Sequence, residues 1–285
     1  MTLNPVPPMK ISSFLIPLAL AASLGPSLHA SPVISINLIP DGTEGAYDLS
    51  ASDTAGYVPA SNWNNVTAAG QNYTTVSAAN LIDHSGGTTG TDFDYFVTGS
   101  GQGRGGSFVT AGTAPETTAD DKMMKASVGT WDSGGITNYQ ISNLPAAFTG
   151  PGYKIYAYWG GKSAEFGPGD TIRDLFTLNA PGQDADGESF VMGYTGSGED
   201  SHWDGTYSLS TITSTGDFTA NDFGEYNYIH FTGLNSDSFT ISVSQDEDRR
   251  HGQLSGIQIV AIPEPSTLIL LGIALGGLLI TRRNR

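Results

Sequence analysis

Tyr153-Lys154-Ile155-Tyr156-Ala157-Tyr158-Trp159 decides the fold. The stretch is half aromatic and rich in residues that pack on a pleated surface, which predicts a central strand with one buried face. Val33 to Ile39 is a plausible first strand, and Asp92 to Val97 reads as another. Downstream, Asp174 to Leu178, Ser189 to Tyr194, Tyr207 to Thr213, Asn227 to Thr232, Phe239 to Val243 and Ser255 to Val260 follow, separated by Gly, Asn, Asp and Ser. Short strands joined by turn chemistry predict an all-β fold, a single β-sandwich or jelly roll. A parallel α/β sheet would need amphipathic helices between its strands, and none is visible. Ala55 to Ala69, with Trp63 flanked by Asn62, Asn64 and Asn65, reads as an ordered loop. Gly99 to Gly106 reads as a flexible loop or hairpin tip. It lacks the Lys-Ser/Thr ending of a phosphate loop, and no helix follows it.

Length and charge narrow the function. Residues 31–262 suit one sandwich or barrel domain better than two, and no linker, charge block or internal repeat divides them. Of the chain's 12 Lys+Arg and 28 Asp+Glu, this region lacks only Lys10, the three terminal arginines and Glu264, so it is strongly acidic. Such a surface repels nucleic acid and anionic lipid and favours divalent cations. Cysteine is absent. Disulfides are open to an exported protein, so this domain relies on its core, with metal ions as the candidate supplement.

The two ends carry targeting information. Met9-Lys10 forms a short basic opening, Ile11 to Leu24 is apolar apart from serines and Pro17, and Leu28-His29-Ala30 places a small residue before Ser31. This reads as a signal peptide over 1–30, with translation starting at Met1 or Met9. At the other end Pro263-Glu264-Pro265 precedes an uncharged apolar run from Ser266 to Ile280, and Thr281-Arg282-Arg283-Asn284-Arg285 closes the chain. A transmembrane helix of about 265–281 lies at the lower limit of a bilayer span, with Arg282, Arg283 and Arg285 as its cytoplasmic stop. The arginines can snorkel, and local thinning of the bilayer absorbs the mismatch. Gly272, Gly276 and Gly277 give the helix a small-residue face.

Tripeptide, apolar helix and terminal arginines, in that order, closely resemble the PEP-CTERM sorting signal of Gram-negative bacterial surface proteins. The resemblance assigns 263–285 to sorting and implies an exosortase, a membrane cysteine transpeptidase, acting at or beside Pro263, Glu264 and Pro265. It also implies residence in the inner membrane before processing, then a cell-surface or extracellular location. The two prolines keep the tripeptide extended, where a protease can bind it. A second resemblance concerns Arg249 to Val260, which runs directly into the tripeptide. It looks like the closing strand of the lectin-like β-sandwiches that often precede such tails, implying a galactose-binding-like or jelly-roll module. Ile257 and Ile259, alternating with Gln258 and Val260, independently give that strand one apolar face.

Several residues are candidates for chemistry. Asp184, Asp186 and Glu188 place alternate carboxylates on one side of a turn, as oxygen-ligand Ca²⁺ loops do; a solvated acidic turn is the competing reading. Asp246-Glu247-Asp248 is followed by Arg249 and Arg250, which neutralise it at a solvated hairpin tip. Trp63, Trp131, Trp159 and Trp203, with twelve tyrosines, supply surface that stacks on sugar rings, whereas Trp159, in a strand, reads as core. Trp203 and Asp204, in a Gly/Ser/Asp-rich loop, and Trp63 are the carbohydrate-binding candidates. No catalytic residue is assigned: there is no Cys, no Gly-x-Ser-x-Gly and no His-Glu-x-x-His. Asp92 and Asp94 share one side of their strand, where a polar outward face explains them more simply than a glycosidase pair does. His29, His84, His202, His230 and His251 show no metal-ligand spacing. Asn65-Val66-Thr67 and Asn72-Tyr73-Thr74 fit a glycosylation pattern that is common by chance. The expectation is a non-catalytic exported surface or matrix protein, with exopolysaccharide as candidate partner and no nucleic acid. The alternative is a secreted hydrolase acting on polysaccharide.

Overall fold

The computed structural model describes residues 31–40, 45–68, 75–99, 103–107, 118–130, 135–160, 171–195, 203–219, 226–245 and 252–263. The signal segment, the apolar helix of 265–281, the terminal arginines, Trp131, His202, His251 and the 246–250 cluster lie outside these residues. Residues 31–263 form one compact unit. Among the described residues no helix is long and apolar enough to cross a membrane.

The first strands are β1 (Val33–Pro40), β2 (Asn64–Ala68), β3 (Thr75–Ala78), β4 (Asp92–Gly99) and β5 (Gly103–Ser107). Helix α1 (Ala119–Lys125) leads into β6 (Ala126–Thr130) and β7 (Gly135–Ser142), and the one-turn helix α2 (Ala146–Thr149) precedes β8 (Tyr153–Tyr158). The remainder are β9 (Thr171–Asn179), β10 (Ser189–Thr195), β11 (Tyr228–Leu234), β12 (Phe239–Gln245), β13 (Gly252–Leu254) and β14 (Gly256–Ala261). They make a five-stranded sheet in the order β11-β8-β14-β1-β2 and a six-stranded sheet in the order β10-β9-β12-β7-β4-β3. A small third sheet runs β13-β6-β5. Strand β8 is interior, antiparallel to β11 on one side and β14 on the other.

Period-2 alternation builds the core. Tyr153, Ile155 and Ala157 of β8 point inward with Ile257 and Ile259 of β14. They meet Phe93, Tyr95, Tyr139, Ile141, Phe176 and Ile241 from the six-stranded sheet in one buried cluster. The all-β sandwich expected from the strand spacing is therefore the architecture observed. Trp159, read as core, is 2 % exposed.

Some local readings change. Tyr207 to Thr213 is not a strand; only Leu209 forms a bridge, parallel to Tyr228. Its backbone bonds are few and divided: Asn227 N–H to Ser208 O and Ser210 N–H to Tyr228 O beside the start of β11, and Val191 N–H of β10 to Ile212 O. The 55–69 loop ends in β2, which pairs in parallel with β1, and the glycine stretch contains β5, which pairs with β6. Partners distant in the chain create both strands. Asp92 and Asp94 do face outward: Asp92 accepts from Asn80 N–H and Asn143, and Asp94 from the Ser77 hydroxyl.

One core acid stands apart. Asp174 faces inward on β9 and is fully buried. Burial pushes its carboxyl well above the usual range. The Gln253 backbone N–H and the Trp159 indole oppose this, yet leave both oxygens short of ordinary hydrogen-bond geometry. A raised folded-state pKa contributes stability that is fully present below the unfolded value of about 3.9 and is lost as pH rises through the folded value. Asp174→Asn should match the parent within about 1 kcal/mol at acidic pH. In thermal melts across pH it should lack the parent's decline toward alkaline pH; an identical decline would show that Asp174 does not titrate in the fold.

Candidate functional site

The outer face of the five-stranded sheet bears an unusual set of side chains. His230, Tyr156, Gln258 and Ser35 lie opposite one another across β11, β8, β14 and β1. One step along, Tyr228 and Tyr158 pair beside Gly256, and Asn37 pairs with Asn65. Ser35, Asn37, Tyr158 and Gln258 are buried. What covers them is the 45–63 loop and α1.

Helix α1 is short but well specified. Thr118 caps it, with the reciprocal bonds of a capping box to Asp121, and acidic and basic residues complement its two ends. Met123 and Met124 are buried with Leu49, Ala55, Trp63, Tyr158, Trp203 and Tyr228 in a second apolar cluster. A Cβ on Gly256 would stand 3.1 Å from the Met123 sulfur and 2.8 Å from Ile36 O, so glycine admits the helix here. Lys122 reaches Asp53 at 3.4 Å, fastening helix to loop. The Ser50 backbone N–H foremost, with Lys122 assisting, holds the Asp53 carboxyl below its usual range.

The loop is fixed by its backbone. Ala55 and Ala60 exchange hydrogen bonds of 3.1 Å and close a tight turn. Gly56 N–H donates to Asp120 Oδ1 at 2.8 Å and to the Tyr207 hydroxyl at 3.1 Å, while Tyr207 donates to the same carboxylate. Tyr57 N–H donates to the Tyr158 hydroxyl at 3.0 Å, which in turn donates to Gln258 Oε1. Gln258 Nε2 completes the set, reaching Val58 O at 2.9 Å and Ser35 Oγ at 3.1 Å.

This scaffold holds Tyr57 at the surface, 49 % exposed. Its ring stacks on Tyr228 at 4.8 Å and 26°, lies 5.6 Å from Tyr156 at 31°, and meets the edge of Tyr207 at 6.2 Å. His230 continues the strip, 6.0 Å from Tyr156. Burial, with Tyr57 beside it, raises the Tyr228 phenol, and burial likewise raises Tyr156. Burial also lowers His230, with Lys154 adding to the effect. Burial thus favours the neutral forms of Tyr156, Tyr228 and His230, and the strip presents an apolar ring face rimmed by hydroxyl and imidazole groups, which suits a polyhydroxylated ring.

The sequence-derived candidates fall elsewhere. Trp203 and Trp63, expected as exposed platforms, are 6 % and 4 % exposed. The Trp203 indole donates to Asp121 Oδ1 at 2.8 Å and that of Trp63 to Ala60 O at 2.9 Å. Both support the loop from beneath, which corrects their assignment to sugar contact. Asp204 is exposed, but its carboxylate accepts from Thr206 N–H in a local turn. Asp184, Asp186 and Glu188 occupy the turn between β9 and β10, where Asp186 accepts from Ala180 N–H at 2.7 Å. Among the described residues no group of three or more His, Cys, Asp or Glu is placed to hold a metal. His84 accepts from Val33 N–H. Tyr57 went unremarked in the sequence; Gly56 before it, in a segment otherwise of small residues, was the available signal.

The far end of the same sheet carries the second functional element. Strand β14 ends at Ala261, and Ile262 N–H donates to Gly152 O at 2.8 Å before Pro263 interrupts the pairing. Residues 261–285 match the family described as the PEP-CTERM protein-sorting motif. The chain carries a PEP-CTERM tail. The motif marks an exported protein sorted by an exosortase, with a membrane-anchored precursor. No curated protein matches the sequence. A solved structure of a family GH115 4-O-methyl-α-glucuronidase with specificity for decorated arabinogalactans matches 49 % of this chain at 11 % identity, with a TM-score of 0.25. The chain spans 15 % of that protein's length, and so loose a likeness carries no argument.

The loop geometry gives a direct test. Gly56 has φ +94°, and a Cβ there would stand 2.4 Å from Gln258 Oε1. Gly56→Ala should cost about 1–3 kcal/mol in thermal unfolding and increase hydrogen exchange at Tyr57 N–H. An unchanged melt would show that the turn does not hold Tyr57 in place.

Proposed function

We propose that this PEP-CTERM protein is a non-catalytic component of the cell surface or extracellular polymeric matrix that binds glycan on the Tyr57 platform. The observation that carries this reading is an exposed ring held flat on two further tyrosines by a loop with little freedom left. A platform ordered before binding loses little conformational entropy when a ligand arrives. The tail supplies the location. An exosortase-type transpeptidase acts at or beside Pro263-Glu264-Pro265 and releases the chain from the inner membrane toward exopolysaccharide outside.

The two halves of the proposal separate experimentally. Glu264→Ala should block trimming of the tail while leaving membrane insertion unchanged; a variant released like the parent would leave only the anchor. Tyr57→Ala should weaken retardation of the protein in polysaccharide gels about tenfold, corresponding to roughly 1.4 kcal/mol. Binding without release of reducing sugar supports the non-catalytic reading, and sugar release would replace it with the hydrolase.

A further inference from the structure

The opposite outer face, that of the six-stranded sheet, is built differently. Its outward positions are mostly Ser, Thr, Asn and Gln. Arg173, Asp92 and Asp94 are the charged exceptions among the described residues, in a chain with 28 acidic side chains. Each exception is engaged: Arg173 with Thr215 O, Asp92 with Asn80 and Asn143, Asp94 with Ser77. An exposed sheet face that gains solubility from charge looks otherwise.

The neutral side chains are also ordered. Ser189, Thr177, Ser242 and Asn138 lie opposite one another on β10, β9, β12 and β7. Thr177 and Ser189 share a hydrogen bond of 2.9 Å. Asn179 donates to Ser242 at 2.8 Å, Ser242 to Asn138 at 2.8 Å, and Asn138 to Thr98 at 3.2 Å. The chain of bonds fixes amide and hydroxyl orientations across four strands. Next to it Gln140 and Thr240, directly opposite each other, keep their polar groups turned outward and half-exposed. An apolar step interrupts the row: Phe96 faces Asn138, and its diagonal neighbour Ile136 is 40 % exposed. Tyr57 and Ile136 are the two exposed large hydrophobics among the described residues, one on each outer face.

We infer that this face is a second glycan site, taking a neutral polysaccharide laid across the strands, so that one domain bridges two polymer chains. Fixed neutral donors and acceptors around an apolar step match a polyhydroxylated chain without charge. The near absence of charge on so acidic a protein selects against ionic partners. The two sheets share one core, so their outer faces point away from each other and cannot both serve one strand of polymer. Two weak sites of this kind give avidity on a matrix and join its chains. The second site stands on its own residues; the bridging rests on the platform reading as well.

The test uses the full chain in detergent with dextran, galactomannan and hydroxyethyl cellulose. The parent should be retarded in a gel containing at least one of them and should turn its solution turbid. A face variant, Gln140→Ala with Phe96→Ala, and the platform variant Tyr57→Ala should each keep part of the retardation yet produce no turbidity, and the combined variant should run freely. Thr240→Lys, on an outward half-exposed position, replaces the face variant if Phe96→Ala lowers the melting temperature. Retardation lost entirely in Tyr57→Ala, or a face variant that binds and clouds like the parent, overturns the inference and leaves the platform. Retardation lost only in the face variant sinks the platform instead. A parent retarded by none of the three polymers overturns both. Sedimentation that finds a dimer dispersed by the face variant assigns this surface to a second copy and also overturns the inference.

Discussion

The buried amide of Gln258 is the constraint on which the rest of the molecule depends. It sits on a central strand with no exposure, and its neighbours Ser35 and Asn37 are equally buried. Polar groups out of water must find partners or cost about 1–3 kcal/mol each. Their partners cannot come from the sheet ladder, whose backbone groups are already paired. Side chains on the sheet supply some, Tyr158 and Ser35 for Gln258 and Asn65 for Asn37, and loop backbone supplies the rest: Val58 O for Gln258, Tyr47 O for Asn37. Satisfying this face therefore dictates the path of the 45–63 loop. That path in turn places Gly56 against the amide and Tyr57 on the aromatic strip.

The arrangement also explains how a cysteine-free exported domain keeps a long loop in place. Apolar burial alone is not directional; it would tolerate many loop positions over Met123, Met124 and Trp63. Hydrogen bonds from the loop N–H groups to Tyr158, Tyr207 and Asp120, and from Gln258 to Val58 O, are directional and select one position. Burial raises the Asp121 carboxyl, but Thr118 and the Trp203 indole outweigh it and hold it below its usual range. The cap of α1 is thus secured by an ionised acid. Tethers that other secreted domains obtain from disulfides are here side-chain networks over a second apolar cluster.

The strands were legible where alternation was complete. Tyr153 to Tyr158, Gly256 to Ala261 and Phe239 to Gln245 each present one apolar face, and each is a strand of the sandwich. Short strands defined by their partners were not: Thr75 to Ala78 and Ala126 to Thr130 have no strong pattern of their own. The site was the least legible part. A tryptophan in a Gly/Ser/Asp-rich loop looks exposed from its neighbours, yet Trp203 is covered by α1, more than 70 residues away in the chain. Conversely, Tyr156 alternates correctly for an outward position, but its role depends on Tyr57 arriving from a loop with no periodicity. Local sequence reports which way a side chain points and not what covers it.

The tail shows how sorting and folding share residues. The PEP-CTERM match opens at Ala261, which is still paired within β14 and whose N–H donates to Pro32 O. Among the described residues Ile262 makes the last backbone bond, to Gly152, where φ of +86° and the nearness of Leu234 O favour glycine. Pro263 lacks an N–H and cannot extend the ladder, so the residue that ends the sheet is also the first of the tripeptide. No spacer separates the two. Strand β1 begins beside this point, since Val33 pairs with Val260, so the entry and exit of the domain adjoin on two central strands. The boundaries read from the sequence, at Ala30 and Pro263, therefore fall just outside the described sheet pairings.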